Sequence, residues 1–301
     1  MRSLFGKDTD GTTLETKVEI DPSRSPFIKE RITVLYEGES LEELLLKVEQ
    51  LQLPGGTSFK VKYVKNGDLP ESDKVGFEDR RVIERELGLR ICGGKADLRH
   101  PDQMFGVMKV NGRWVFGEYL EAESVWFQHQ KKPNDYSTAL STRMARAVVN
   151  IAVPNPDGVR AIDPCCGIGT VLVEARSMGI DIVGSDRNGL ILPGARENIA
   201  HFGLTCEVKR ADIREITGEY DVAIIDLPYN LCSVITPEEQ LEMLQSAYRF
   251  AEKIIVVTVE PIEEIIQKAG FNILDRAIVK KGTFTREVIV GDRHAPLFVE
   301  Y

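Results

Sequence analysis

Four aspartates in the second half of the chain close short apolar runs. Asp163 ends VRAID, Asp186 ends DIVGSD, Asp212 follows EVKRA and Asp226 ends YDVAIID. Three of the runs have the length and branched-apolar content of a buried strand, and EVKRA is a shorter, charged strand end. One such carboxylate is ordinarily a helix cap or a solvated turn. Four at successive strand ends describe a row of hydrogen-bond acceptors across a sheet, wide enough for a nucleoside. Asp186 lies 23 residues beyond Asp163, the spacing at which a strand-end carboxylate accepts from ribose hydroxyls. Asp212 stands where an adenine amino group could donate to it.

Between the first two aspartates the chain reads AIDPCCGIGTVLVEA, an acidic residue followed by Gly167-Ile168-Gly169 and a helical pattern. Glycines there let the backbone approach a ligand, and the helix start offers free N–H groups. The turn alone is shared by dinucleotide binders, S-adenosylmethionine binders and purely structural strand-to-helix turns. The third glycine of the dinucleotide fingerprint is absent, with Leu172 in its place. After the fourth strand the chain leaves as Asp226-Leu227-Pro228-Tyr229-Asn230, where the proline stops the ladder. By itself that is a strand end; beside the three other carboxylates it faces the same ligand.

The elements that must hold these residues follow a regular order. Strands are expected at 159–163, 181–186, 205–210, 220–226 and 253–259, helices at 169–178, 190–202, 237–250 and 261–269, and a closing strand pair at 271–280 and 284–291. Such alternation predicts a mainly parallel, seven-stranded Rossmann-like sheet over residues 158–301. Residues 1–125 read as a small α+β module. Ser40-Leu41-Glu42-Glu43 gives a capping box, Phe59, Val61 and Tyr63 alternate with lysines, and Asn111-Gly112 predicts a hairpin. Residues 126–157 read as a linker and a connecting helix whose apolar face holds Leu140, Met144, Ala147 and Val148. Ser137 is its expected cap, and Lys131, Lys132, Arg143 and Arg146 read as a solvated face. Trp114 and Trp126 are expected in packing; His129 and His201 have no nameable partner.

The 301 residues carry a net charge of −9. The first 150 hold 23 basic and 24 acidic side chains and the remainder 15 and 23, so the negative charge sits in the second half. Nucleic-acid contact is therefore expected on the first half and the connector. The five cysteines form no disulfide framework and no metal spacing. No apolar run approaches a membrane span and no signal core opens the chain, so the expectation is a cytoplasmic protein without metal.

The motifs DPCCGIGT, GSD, AD and DLPY, in this order, resemble those of class I S-adenosylmethionine-dependent methyltransferases. DPCCGIGTVLVEA resembles the DPFCGSGTILIEA pattern of tRNA guanine-N2 methyltransferases, and KKPNDYSTALSTRMARAVVNIA their connecting segment. The stretch from Phe59 to Tyr119, with ELGLRI and ADLRHPDQMFGVMKVNGRWVFGEYL, is similar to the THUMP module of RNA-modifying enzymes. Leu227 departs from the more usual second proline, and Cys165-Cys166 from the usual Phe-Cys. The resemblance implies S-adenosylmethionine held by Tyr136, Asp163, Cys165, Gly167, Gly169, Thr170, Asp186, Arg187, Asp212 and Ile213, with a tRNA substrate. It also implies catalysis by Asp226, Leu227, Pro228 and Tyr229, the fourth motif of enzymes that methylate an exocyclic amino nitrogen. Such a nitrogen has a delocalised lone pair. Asp226 and the carbonyl of Leu227 or Pro228 are suited to accept its hydrogens, and Tyr229 to stack on a base turned out of its helix. Adenine-N6 methylation of RNA or DNA, and an RNA-binding adaptor without catalysis, stay open on the same residues.

Overall fold

The computed structural model describes residues 1–136, 139–227, 235–281 and 284–293. The chain divides into two compact units, Met1–Glu123 and Ser124–Tyr301. Among the described residues no helix is long and apolar enough to cross a membrane.

In the first unit the strands are β1 (Glu30–Gly38), β2 (Ser58–Tyr63), β3 (Lys95–Ala96), β4 (Gln103–Val110) and β5 (Arg113–Glu121), with helices Leu41–Val48 and Phe77–Arg90. They form one mixed sheet in the order β1-β5-β4-β2-β3. Alternation in β2 turns Phe59, Val61 and Tyr63 inward against Leu44, Val48, Ile83 and Leu87 of the helices, while Lys60 and Lys62 face outward. The β4–β5 hairpin turns on Asn111 and Gly112 with φ of 48° and 81°, the pair of left-handed residues that a tight hairpin needs. Trp114 packs edge-on against Tyr63, the structural role expected of it. Ser40 caps the first helix by accepting from the Glu43 amide at 3.2 Å. The Glu43 carboxylate reaches past Ser40 to the amide of Glu39 at 2.8 Å, so the reciprocal half of the box is displaced by one residue.

The second unit holds β6 (Arg160–Asp163), β7 (Asp181–Asp186), β8 (Val208–Arg210), β9 (Tyr220–Asp226), β10 (Ala251–Thr258), β11 (Asn272–Lys281) and β12 (Phe284–Asp292). Their order across the sheet is β8-β7-β6-β9-β10-β12-β11. β6 to β10 run parallel, and β12 inserts antiparallel between β10 and β11. The strand order therefore reverses between β6 and β9, which opens a crevice at their carboxyl ends. β8 is shorter than expected: the ladder to β7 begins at Val208, and Cys206 instead donates its thiol to the Ile182 carbonyl at 3.1 Å.

Helices Thr170–Ser177, Leu192–His201, Pro237–Phe250 and Glu263–Lys268 follow β6, β7, β9 and β10. Thr236 caps the third with a reciprocal Glu239 box and Pro237 in its first turn. Leu172, at the place of the missing third glycine, is accommodated by Gly184 on β7. A Cβ at 184 would stand 2.5 Å from the Leu172 side chain.

The connecting helix runs over Thr142–Ala152 and lies within the second unit, with Met144, Ala145, Val148, Val149 and Ala152 buried in its core. Its cap is Ser141, which accepts from the Met144 amide at 3.3 Å, and not Ser137, which lies outside the described residues. Arg146 is not on a solvated face. It is buried and pairs with the fully buried Glu174 at 2.9 Å. His129 supplies the third member at 2.8 Å from the other Glu174 oxygen, a partner the sequence did not reveal. Arg143, by contrast, is exposed and lies over the Trp126 ring at 5.5 Å.

Candidate active site

The crevice is a cleft of about 310 Å³, within the usual size of ligand sites. It gathers almost every described residue singled out from sequence: Tyr136, Asp163, Cys165, Gly167, Thr170, Asp186, Arg187, Asp212, Ile213, Asp226 and Leu227 all line it. Gly169 shapes the turn as N-cap of the following helix, with φ of 79°. Pro228 and Tyr229 lie outside the described residues. Ile235, just before helix Pro237–Phe250, and Glu239 and Met243 within it complete the wall; none of the three was singled out for the cleft from sequence.

The glycine turn is held from both neighbouring strands. Asp163 Oδ1 accepts from the Cys165 amide at 3.1 Å. The Cys166 amide donates to the Ser185 carbonyl at 2.9 Å, and the Gly167 amide to Asp186 Oδ2 at 3.0 Å. Asp186 Oδ1 accepts in turn from the Asn188 amide at 2.9 Å. The turn is fixed before any ligand enters, which lowers the ordering cost of binding.

Burial pushes the Asp163 carboxyl well above its ordinary value, and the nearby Asp226 and Asp186 carboxylates add to the rise against the opposing Cys165 amide bond. Burial and the same carboxylates raise the thiols of Cys165 and Cys166 as well. Neither is an activated nucleophile. Asp212 is the opposite case. Arg214 grips it with Nε and Nη2, each at 2.8 Å from one oxygen, and this pairing lowers the carboxyl to about 2. Nη1 of the same guanidinium lies 3.2 Å from Glu242. The carboxylate read as the adenine acceptor is thus engaged by a neighbour two residues on.

Among the described residues no cluster of ligating side chains suits a metal ion. The donor set fits S-adenosylmethionine on the structure's own terms. Four carboxylates, Asp163, Asp186, Asp212 and Asp226, line the cleft, and the buried Thr170 hydroxyl on its wall has no hydrogen-bond partner. Asp163 with the glycine turn, Asp186, and Asp212 with Ile213 line this one cleft together.

The sheet order and the strand-end cleft define the class I methyltransferase fold. Residues 129–257 match the RMKL-like UPF0020 methyltransferase domain. It is 33% identical over 194 residues to the tRNA (guanine(10)-N2)-dimethyltransferase of Methanothermobacter thermautotrophicus, covering 61% of this chain and 57% of that protein. It is 24% identical over 310 residues to the tRNA (guanine(6)-N2)-methyltransferase of Archaeoglobus fulgidus, covering 87% of this chain and 78% of that protein. The crystal structure of TrmN from Thermus thermophilus aligns with a TM-score of 0.48 at 20% identity, over 89% of this chain and 84% of that one.

Proposed function

We propose that this protein transfers a methyl group from S-adenosylmethionine to the exocyclic N2 of a guanosine in tRNA. The observation that carries the reading is the position of Asp226. It is the last residue of β9, it lines the cleft beside Asp163, and it begins the Asp226-Leu227-Pro228-Tyr229 motif. Two relatives named for guanine-N2 methylation of tRNA supply the substrate class.

When bound, the cofactor supplies an electrophilic methyl on a cationic sulfur. The chain's own task is to position the acceptor. Asp226 accepts from the amino group, the backbone carbonyl of Leu227 or Pro228 accepts its other hydrogen, and Tyr229 stacks on the extruded base. The apolar side chains of Leu227 and Ile235 keep this end of the cleft dry, which strengthens those bonds. The first unit is the THUMP-like module that binds the RNA. Its sheet is mixed, with two helices on one face, and its charge is nearly balanced where the second half is acidic. Removing residues 1–125 is expected to abolish tRNA affinity and leave cofactor binding intact.

The test is transfer of labelled methyl to tRNA, ribosomal RNA and DNA in parallel, followed by nucleoside digestion and mass analysis. N2-methylguanosine from tRNA is expected. N6-methyladenosine would move the protein to the adenine branch of the same motif, and label on no nucleic acid would refute the reading.

A further inference from the structure

The connecting segment and the glycine turn are joined by one buried amide. Asn198, on helix Leu192–His201, has 0% of its surface exposed. Its Oδ1 accepts from the Asn134 amide at 2.9 Å, and its Nδ2 donates to the Asn134 carbonyl at 3.0 Å and to the Ile168 carbonyl at 2.9 Å. A primary amide that both accepts from and donates to one residue's backbone copies the pairing of a β-ladder. It therefore fixes residue 134 in place. The third bond reaches the middle of Gly167-Ile168-Gly169. The side chain of Asn134 adds a bond to Glu197 at 2.8 Å.

Five residues earlier the same segment is anchored again, where His129 meets Glu174. Residues 129–134 are thus fastened at both ends, to the helix after β6 and to the helix after β7. Two residues beyond the second anchor stands Tyr136, half exposed and on the cleft wall.

We propose that Asn198 is a positioning residue: by tying the connecting segment to the glycine turn, it places the Tyr136 ring against the cofactor cleft. This rests on the reading that the cleft binds S-adenosylmethionine. Without the Asn198 side chain, the part-buried N–H and carbonyl of Asn134 and the buried carbonyl of Ile168 lose this partner together, so the segment and the turn separate toward water. A ring held by a relaxed segment contributes less to binding than one held in register.

The test is the affinity of the full chain for S-adenosylhomocysteine, by calorimetry, in wild type, Asn198→Ala, Tyr136→Ala and the double variant. Asn198→Ala is expected to weaken binding about tenfold. In the double variant the two losses fall short of their product by at least about threefold, because both act through one ring. Losses that multiply in full would overturn the proposal. Should Asn198→Ala fail to fold, Asn134→Pro removes the amide donor together with the side-chain bond to Glu197 and is expected to weaken binding, whereas Asn134→Ala loses the side-chain bond, keeps the backbone pairing and stays within about twofold of wild type. Wild-type affinity in Asn134→Pro would also overturn it. Wild type that bound no S-adenosylhomocysteine would refute the cofactor reading, and this inference with it; multiplying losses on a binding wild type refute only the inference.

Discussion

The backbone amide of Gly167 donates to Oδ2 of Asp186 at 3.0 Å. The carboxylate at the end of β7 therefore does two things at once: it ties down the turn after β6 and faces the cleft where ribose hydroxyls would lie. Asp186→Ala is expected to weaken S-adenosylhomocysteine binding about a hundredfold, and Asp186→Asn, which keeps one acceptor for the Gly167 amide, by about tenfold. Equal losses in calorimetry would show that the turn does not depend on this bond.

Asp163 sets stability against binding. Its folded-state pKa lies above the ordinary 3.8, so the folded form holds this proton more tightly than the unfolded chain does. The associated stability is complete below 3.8 and is lost as pH rises toward the folded value. Asp163→Asn removes that loss and keeps an oxygen for the Cys165 amide. Its Tm is expected to exceed that of wild type by a margin that widens as pH rises above 3.8, while cofactor affinity falls about tenfold. A margin that shrinks with pH would contradict the direction of the shift.

Arg214 grips Asp212, the carboxylate proposed to receive adenine. Arg214→Ala frees Oδ2 and leaves Oδ1 the backbone amide of residue 214, and it is expected to tighten S-adenosylhomocysteine binding at least about threefold, whereas Asp212→Asn weakens it. The same pair has an acid-side signature. The lowered carboxyl contributes stability above 3.8 that disappears as pH falls toward about 2, and Arg214→Ala should remove that portion of the acid unfolding curve. Weaker binding by Arg214→Ala would instead mean that the guanidinium itself holds the ligand.

The buried trio of His129, Glu174 and Arg146 is asymmetric in its energetics. Removing Arg146 alone as Arg146→Met takes the guanidinium from the buried Glu174 carboxylate, leaving it His129, and should cost about 3–5 kcal/mol in urea denaturation. Replacing both partners, Arg146→Met with Glu174→Gln, should cost less than the sum of the single losses. Additive losses would show that the pair is not coupled.

Much of this arrangement was legible in the sequence because it depends on local pattern. Strand-end aspartates and glycine turns announce themselves by composition, and Asp163, Asp186, Asp212 and Asp226 all arrive at one cleft. The strand count was legible for the same reason. The insertion of β12 between β10 and β11 was not, since pairing order is decided by long-range contact. Arg146 was misread because a charged residue on a helix is usually solvated, and nothing nearby in sequence announces that Glu174 lies opposite. Asn198 escaped notice because its partners are 64 and 30 residues away. Its one signal was a polar amide on the apolar face of the 190–202 helix. The grip of Arg214 on Asp212 lies only two residues apart, but it depends on a side-chain rotamer that spacing does not encode.

The most direct test of the account compares wild type with Asp226→Ala and Asp226→Asn for two quantities on the same preparation: S-adenosylhomocysteine affinity, and N2-methylguanosine formed in tRNA. The account expects affinity within about threefold of wild type in both variants and methyl transfer reduced by at least about a hundredfold. Transfer that persisted in Asp226→Ala while the cofactor still bound would contradict the claim that Asp226 positions the acceptor nitrogen.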